Sequence, residues 1–281
     1  MQLVTGGRGF IGSQLTAALI ATGAEVLVLD DGRAAASVEP CPGVRYLNGD
    51  IADPATWAQL AGEPIRVAYH LGAHANVAES AKDPTEDFQS NVVGTFNFLQ
   101  WARQAELQAA VFASSAAIYG SPGHEPIAET NELAPVSPYG ATKVAGEAYC
   151  RAYQRCYGVP VVIARIFNTY GPGMRQFVLF DFVRKLQADP TRLEILGDGQ
   201  QVRDYSYITD TVAALRLLAE AGVPGEAYNI ASGRPTRIRE LADMVMGAMG
   251  LQAEVVCSGQ SWPGDVDYWH SDISKLQALG F

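Results

Sequence analysis

The sequence is poor in the residues and patterns that mark secreted, metal-binding and membrane proteins. It has only four cysteines in 281 residues, none in a CxxC pair and none beside histidines at metal-ligand spacing. These cysteines, Cys41, Cys150, Cys156 and Cys257, are expected to be reduced thiols, and we predict no metal site. No apolar run is long enough to cross a bilayer, and the first residues, MQLVTGG, show no signal peptide. The expected location is therefore the cytoplasm.

Basic residues are also scarce, which limits the partners that the surface attracts. The chain has 30 Asp and Glu residues against 20 Lys and Arg, a formal net charge of -10. A surface of that sign repels nucleic acid and anionic membranes, so we expect neither as a partner. Any phosphate group that binds must then be held by local features of the fold. Apolar residues make up 48% of the chain, enough for a substantial core.

Short apolar segments that alternate with helix-like segments predict the fold class. Runs such as VLVL and VVIA lack polar alternation, as is typical of parallel strands covered on both faces. The pattern indicates an α/β protein with a Rossmann-type doubly wound parallel sheet and a smaller C-terminal lobe. We predict a large N-terminal domain over residues 1–167, to which 204–232 returns, and a smaller lobe over most of 168–281. A ligand cleft is expected between them.

A glycine-rich turn after the first predicted strand marks a dinucleotide site. TGGRGFIG places Gly6, Gly9 and Gly12 between a strand and a helix. Glycines there allow a tight turn and let a pyrophosphate approach the amides at the helix start. Asp30 ends the second strand, where a carboxylate binds ribose hydroxyls and repels a 2′-phosphate, so NAD is favoured over NADP. Arg33 lies nearby and leaves NADP as an alternative, and Asp30 is also typical of a strand-end turn.

The segment SPYGATK contains a candidate catalytic pair. Ser-Pro is typical of a helix start, and Tyr139 and Lys143 stand four residues apart on one face of that helix. An ammonium favours a phenolate, so Lys143 is expected to lower the pKa of Tyr139 toward the working range. Ser115, at the end of the strand in FASSAAIYG, is placed to hydrogen-bond the same substrate hydroxyl. The alternatives are a surface Tyr and Lys on an amphipathic helix, and serines that only form a turn.

Nine motifs follow one another along the chain in the order found in one enzyme family. They are TGGRGFIG, GDIAD, HLGAHANV, SSAAIYG, YGATK, RIFNTYGPG, GDGQQVRDYSYITD, YNIASG and GDVDYWHSDISK, which run from residue 5 to residue 275. Through them the chain resembles the extended short-chain dehydrogenase/reductase family, and within it the NAD-dependent nucleotide-sugar epimerases and dehydratases of the UDP-glucose 4-epimerase type. An ordered set is far harder to reach by chance than any single motif.

The resemblance implies roles for individual residues. The implied catalytic set is Ser115, Tyr139 and Lys143. The residues implied to bind NAD, besides Tyr139 and Lys143, are Gly6, Gly9, Phe10, Ile11, Gly12, Asp30, Asp50, Ile51, Leu71, Gly72, Ala73 and Asn91. The residues implied to bind a nucleotide-diphosphate sugar, with a UDP-sugar favoured, are Ser115, Asn168, Arg203, Trp262 and Asp265. A structural salt bridge with Asp204 or Asp210 is the alternative interpretation of Arg203.

Two departures from the family pattern concern the substrate. Trp262 stands where such enzymes often carry an arginine, and an indole stacks on a base or sugar but does not neutralise a phosphate. The family usually continues with another helix after the position of Phe281, so the substrate lobe is expected to be trimmed or completed by a partner.

The residues after Ser115 favour one reaction among those of the family. Dehydratases that resemble this chain carry an Asp-Glu pair there, and UDP-glucuronate decarboxylases keep the glutamate, whereas this chain has Ala116 and Ala117. Alanine moves no proton, so we predict an NAD-dependent 4-epimerase that forms a 4-keto sugar and receives hydride on its other face. A 4-keto sugar reductase or a dehydratase-type enzyme is the alternative, and a dinucleotide-binding regulator without turnover ranks last.

Two predicted helices bear on assembly. The segment VVGTFNFLQWA and the helix that carries Tyr139 have mixed apolar faces. Similar proteins pair these helices across a twofold axis, so the resemblance implies a homodimer held by a four-helix bundle.

Overall fold

The structure is a computed structural model that describes residues 1–33, 41–260 and 264–281. In chain order its strands are β1 (Gln2–Thr5), β2 (Val26–Asp30), β3 (Arg45–Asn48), β4 (Val67–His70), β5 (Ala109–Ser115), β6 (Val161–Ile166), β7 (Asn168–Tyr170), β8 (Arg192–Ile195), β9 (Val202–Tyr207), β10 (Ala227–Ile230), β11 (Pro235–Arg237) and β12 (Glu254–Cys257). Its α-helices are α1 (Phe10–Ala21), α2 (Pro54–Ala58), α3 (Val77–Ser80), α4 (Thr85–Asp87), α5 (Gly94–Ala102), α6 (Pro138–Tyr157), α7 (Val178–Ala188), α8 (Ile208–Ala221), α9 (Ile238–Met249) and α10 (Ser274–Gln277). A π-helical segment precedes α5, and a single 3₁₀ turn follows β5.

One large parallel sheet dominates the fold. Seven strands form it in the order β10-β6-β5-β4-β1-β2-β3. From β1 the chain builds outward through β2 and β3, then returns to the other side of β1 and continues through β4, β5 and β6. The predicted doubly wound parallel sheet is therefore confirmed.

Large apolar side chains on both faces explain why the sheet forms. Every residue of β2 is buried. Along it, Leu27 and Leu29 belong to the same core cluster as Phe98 of α5, whereas Val28 packs with Leu15 of α1 in a second cluster. Each such side chain contributes about 1.5–3 kcal/mol when it leaves water. The VLVL run thus joins two cores, as its lack of polar alternation predicts.

The strand register brings several candidate segments to one edge of the large sheet. Thr5 of β1 is in register with Leu29 of β2 and with His70 of β4, and β5 ends at Ser115. The glycine turn, Asp30, the turn after β4 and Ser115 therefore all lie at the carboxyl edge. In doubly wound sheets the ligand crevice lies at this edge, where the strand order reverses, here between β1 and β4.

The rest of the chain forms two small sheets with a core of their own. One has the order β11-β9-β7, and the other pairs β12 with β8. Helices α7 and α9 pack over β8 around Phe182, Leu193 and Leu241. Strand β10, which lies between β9 and β11 in the chain, pairs in parallel with β6. The chain therefore leaves the large sheet after β6 and returns to it at β10. The predicted division of the chain into two domains stays a prediction.

Candidate active site

A cavity of about 670 Å³ opens at the carboxyl edge of the large sheet. The predicted site residues that line it are Gly6, Gly9, Phe10, Ile11, Gly12, Asp30, Ile51, Leu71, Gly72, Ala73, Ser115, Tyr139, Lys143 and Asn168. The structure thus brings the glycine turn and the candidate catalytic set into one space. Four further predicted residues, Asp50, Asn91, Arg203 and Asp265, are not among its lining residues. Trp262 lies outside the residues that the structure describes.

The glycine turn between β1 and α1 allows close approach of a ligand. Gly6 has a φ of 67°, in the left-handed region, and a Cβ there would lie 2.8 Å from the backbone of Gly72. A Cβ on Gly12 would lie 2.1 Å from the carbonyl oxygen of Gly6. Gly9 precedes α1 and has no side chain to cap it, and the first turn of α1 holds no acidic residue. This uncapped helix start fits the diphosphate of a dinucleotide.

Asp30 both forms a turn and lines the cavity. One carboxylate oxygen accepts a hydrogen bond from the amide of Arg8 at 2.9 Å, and the other accepts from the amide of Gly32 at 2.8 Å. Because the side chain also lines the cavity, the two interpretations of Asp30 are compatible. The guanidinium of Arg33 is bound to Asp31 at 2.6 Å and to Glu86 at 2.7 Å. The cation that would favour a 2′-phosphate is therefore already paired.

Asn91 and Asp50 each hold a turn that contains a lining residue of the cavity. Asn91 is buried, and its side-chain amide accepts from the backbone amide of His74 at 2.9 Å and donates to its carbonyl at 3.0 Å. The same nitrogen donates to Thr142 Oγ1 of α6 at 3.0 Å. Asp50 accepts from a backbone amide two residues further on at 2.8 Å and so holds the turn that contains Ile51. A direct contact of Asn91 or Asp50 with NAD stays a prediction.

Helix α6 presents the candidate catalytic pair from its first two turns. Ser137 Oγ accepts from a first-turn amide at 3.1 Å, and Pro138 opens the helix. Tyr139 and Lys143 are 8% and 4% exposed, so the alternative of a surface pair is wrong. Lys143 Nζ donates to the carbonyl of Ala113 in β5 at 2.8 Å and lies 5.8 Å from the centre of the Tyr139 ring.

Burial dominates the electrostatics of this pair. It raises the pKa of Tyr139 to about 12, although the Ser115 hydroxyl lowers that pKa, and the Asp87 carboxylate raises it further. Burial lowers the pKa of Lys143 to about 8, against the opposing effect of Asp87. That Lys143 lowers the pKa of Tyr139 toward the working range stays a prediction. The ammonium is bound to a backbone carbonyl, and the phenol is desolvated.

The two serines that end β5 have different partners. Ser114 donates to Glu147 Oε1 at 2.7 Å, in a buried network in which Arg165 binds the same carboxylate at 2.8 Å. Ser115 lines the cavity, and its Oγ accepts from the amide two residues further on at 3.2 Å. The turn-forming interpretation thus fits Ser115, whereas the hydroxyl of Ser114 is bound to Glu147; both residues line the cavity. The two alanines that follow line the same wall and carry no ionisable group.

Two of the predicted substrate residues are paired with each other. Arg203 Nη2 lies 2.7 Å from Asp265 Oδ1, so the salt bridge of Arg203 is formed with Asp265 rather than with Asp204 or Asp210. The guanidinium also lies 5.2 Å from the ring centre of Trp269, which lines the cavity. Arg203 therefore supports the wall through an indole, and its predicted contact with phosphate stays a prediction.

Several lining residues were not predicted from the sequence. Phe177 has a φ of 73° and is 51% exposed, and it is the one non-glycine residue with positive φ in the described part of the chain. Tyr205 has a buried hydroxyl without a hydrogen-bond partner among the described residues. Trp269 donates from Nε1 to a backbone carbonyl at 2.9 Å. Tyr205, Trp269 and His74 lie inside motifs quoted above, so the motifs contained a signal for them, whereas Phe177 lies outside every motif.

Within residues 1–33, 41–260 and 264–281, no three His, Cys, Asp or Glu side chains are grouped as metal ligands would be. No helix in the same ranges has both the length and the apolar character needed to cross a membrane.

Comparison with known proteins gives consistent matches over the whole fold. Residues 2–231 match the model of the NAD dependent epimerase/dehydratase family. A UDP-glucose 4-epimerase of Mycolicibacterium smegmatis is 37% identical over 262 residues, 90% of this chain and 83% of that protein. The crystal structure of UDP-glucose 4-epimerase from Thermotoga maritima with UDP-glucose has a TM-score of 0.93 at 30% identity and covers 100% of this chain and 92% of that one.

A dehydratase is also similar. The crystal structure of the dTDP-glucose 4,6-dehydratase DesIV from Streptomyces venezuelae, with NAD and TYD bound, has a TM-score of 0.89 at 31% identity and covers 100% of this chain and 91% of that one. Together these matches confirm the family that the motifs resemble, the Rossmann-type fold and NAD as the cofactor. Since both epimerases and dehydratases match, the reaction depends on the side chains of the site.

Proposed function

Since the chain belongs to the NAD dependent epimerase/dehydratase family, we propose that it is a nucleotide-sugar 4-epimerase that uses NAD. The observation that carries the proposal is the cavity wall formed by Ser115, Tyr139 and Lys143. The two residues that follow Ser115 in the chain are alanines, and they line the same wall. The wall supplies a phenol for one sugar hydroxyl. At the two positions after Ser115 it supplies no further acid or base, which suits epimerisation.

The proposed roles follow from the contacts of each side chain. NAD, when bound, would supply a reversible hydride acceptor for carbon 4 of the sugar and a positively charged ring. Tyr139 as phenolate takes the proton of the 4-hydroxyl, and it gives the proton back after the 4-keto sugar has turned its other face. Ser115 holds the same oxygen. The net redox change of the sugar is zero.

The buried phenol needs positive charge in order to act as a base. With a pKa of about 12 it stays protonated at neutral pH. The ammonium of Lys143, 5.8 Å from the ring centre, favours the phenolate and adds to the charge of the oxidised cofactor. Lys143 is thus proposed to act on the ionisation of Tyr139 together with NAD rather than alone.

A 4,6-dehydratase is the second candidate, because DesIV is similar over the whole chain. Water loss needs an acid and a base in addition to the tyrosine. Ala116 and Ala117 occupy the positions that carry Asp-Glu in the dehydratases that the motifs resemble, and they line the cavity. These two side chains favour the epimerase.

We also propose the substrate class and the assembly. The substrate is a nucleotide-diphosphate sugar, with UDP-sugars the first to be tested. The proposed homodimer is supported by exposed aromatic side chains on α5 and α6, namely Phe96, Tyr149 and Tyr157, which are 37%, 41% and 55% exposed.

The deciding experiment incubates the purified protein with UDP-, dTDP-, CDP- and GDP-sugars and follows the products by NMR and mass spectrometry. We expect a 4-epimer equilibrium that is reached from either epimer without net consumption of NAD. Tyr139→Phe is the control, with a rate lowered by about 10³-fold and NAD binding retained. A product lighter by one water would indicate a dehydratase, and stoichiometric oxidation of NADH a reductase. Absence of any interconversion contradicts the proposal.

A further inference from the structure

At the cavity lies an imidazole–carboxylate pair, His74 and Asp87, that the proposed reaction does not use. His74 follows β4, and its Nδ1 is hydrogen-bonded to Asp87 Oδ1 of α4 at 2.5 Å. Asp87 is fully buried, and its Oδ2 has no hydrogen-bond partner in the described part of the chain. The His74 side chain is 24% exposed and lines the cavity. A buried carboxylate with one bonded oxygen is costly unless its charge is offset.

Two further carboxylates face the same imidazole. His74 Nε2 lies 3.8 Å from Glu79 Oε2 of α3 and 3.7 Å from Glu86 Oε2 of α4. Both glutamates are more than half exposed, so solvent screens their charges far more than that of buried Asp87. Glu86 is in addition bound to Arg33 at 2.7 Å. Asp87 is therefore the carboxylate on which the imidazole has the largest effect.

Hydrogen bonds connect this pair to the helix that carries the catalytic residues. Asn91 binds the backbone of His74 and also donates to Thr142 Oγ1 of α6. Thr142 Oγ1 in turn donates to the carbonyl of Tyr139 at 2.7 Å. The amide of Tyr139 donates to Ser80 Oγ of α3 at 3.2 Å. The turn of His74 and the start of α6 are thus held together.

We propose that His74 and Asp87 are positioning residues for Tyr139 and Lys143, in which the imidazole is hydrogen-bonded to the Asp87 carboxylate and fixes it beside the cavity. The pair thereby influences the pH dependence of the reaction. This inference rests on the proposed function, because it assigns the pair to the same two side chains. His74 and Asp87 act through Tyr139 and Lys143 and do not touch the reacting atoms.

Substitution of Asp87 and substitution of His74 are expected to shift the pH–rate profile in opposite directions. The carboxylate of Asp87 raises the pKa of both Tyr139 and Lys143. Its removal in Asp87→Asn therefore moves the acid and the alkaline limb of the pH–rate profile to lower pH. In His74→Gln the carboxylate loses the hydrogen bond from the imidazole, and both limbs move to higher pH. We expect each shift to be about half a pH unit. The double variant also lacks the carboxylate, so its limbs lie with those of Asp87→Asn.

The experiment measures kcat against pH for the NAD-loaded protein, the two single variants and the double variant, with thermal unfolding in parallel. Opposite shifts in the single variants, with the double variant following Asp87→Asn, support the proposal. Glu79→Gln is the matched control, with a smaller shift because that carboxylate is exposed. Loss of kcat with unmoved limbs overturns the proposal, and so does a His74→Gln profile that coincides with the unmodified one. His74→Asn replaces His74→Gln if the latter does not fold.

A second measurement does not need turnover. The ionisation of Tyr139 is followed by ultraviolet absorbance in each NAD-loaded variant, as the difference from the same variant with Tyr139→Phe. The phenolate should form at lowest pH in Asp87→Asn and at highest pH in His74→Gln. If no sugar reacts but this order is found, the proposed function fails and the positioning pair stands. If a sugar is epimerised and the order is absent, the positioning pair fails alone.

Discussion

The end of the cavity beside β1 and β2 is built mainly from backbone, whereas the end beside β7 and α7 is built from side chains. At the first end, Gly6 and Gly12 fit against other backbone atoms with no room for a Cβ. At the second, the wall is made by Phe177, Tyr205 and Trp269, which come from three separate segments. Backbone geometry of this kind tolerates few substitutions, so the dinucleotide end is expected to be rigid and the sugar end adaptable.

Gly12→Ala tests the backbone-built end and has the largest expected effect. The added Cβ would lie 2.1 Å from the carbonyl oxygen of Gly6, so the turn must move. We expect NAD affinity to fall by roughly 100-fold, about 2.7 kcal/mol, as measured by calorimetry. Gly247→Ala in α9 is the control, because a Cβ there meets nothing within 4 Å. Unchanged NAD affinity in Gly12→Ala would show that this end is not rigid.

Lys143→Met tests how much the buried ammonium lowers the free energy of unfolding. Burial lowers its pKa from 10.5 to about 8, so the cost is complete below pH 8 and disappears as the pH rises toward 10.5. A pKa shift of this size corresponds to about 3 kcal/mol of destabilisation, which the variant would recover. The variant also loses the hydrogen bond of the ammonium, which is worth about 1 kcal/mol. We therefore expect the variant to be about 2 kcal/mol more stable near neutral pH, with little activity. Denaturant unfolding at several pH values checks this, and a gain that does not shrink toward pH 10.5 contradicts it.

Phe177→Gly tests the side-chain-built end. Glycine adopts a φ of 73° without strain. The relief of strain adds about 1 kcal/mol of stability and so offsets part of the loss caused by removing the ring. We expect KM for the nucleotide sugar to rise by about fivefold, equivalent to about 1 kcal/mol, with NAD affinity unchanged. Phe177→Ala removes the ring but keeps the strain, so comparison of the two variants separates these effects. An equal loss of NAD affinity would mean that the two ends are not independent.

Tyr149→Glu should leave both ends of the cavity unchanged and therefore has the smallest expected effect on the site. The side chain is 41% exposed on α6, within the proposed homodimer interface. Light scattering at micromolar concentration should give a dimer for the unmodified protein and a monomer for the variant. Met244→Glu, at a residue of α9 that is 61% exposed, is the matched control and should remain dimeric. A monomeric unmodified protein contradicts the proposed assembly.

The sequence predicts the dinucleotide end well because its signals are local. The glycine turn leads directly into α1, and Ser137 caps α6 directly before Pro138, as the two motifs predict. Strand β2 reads as a buried strand because both of its faces are apolar. These features depend on neighbours in the chain, so a short segment contains the whole signal.

The sugar end and the electrostatics were less predictable, because they depend on packing between distant segments. Arg203 pairs with Asp265, 62 residues away, and no local pattern distinguishes this partner from Asp204. The pKa of Tyr139 depends on its burial and on Asp87, whereas the sequence shows only the spacing to Lys143. A helical spacing predicts which side chains share a face, but not how much water they lose.

Strand β10 has a consequence for how this protein is made. It pairs with β6 across the interval of residues 167–226, which has to be synthesised first. Until then a nascent chain leaving the ribosome already carries the glycine turn and Tyr139, but the apolar strand β6 is an open edge that other chains can pair with. The speed of translation through this interval therefore determines how long a nearly complete nucleotide site is exposed to aggregation before the last strand closes it.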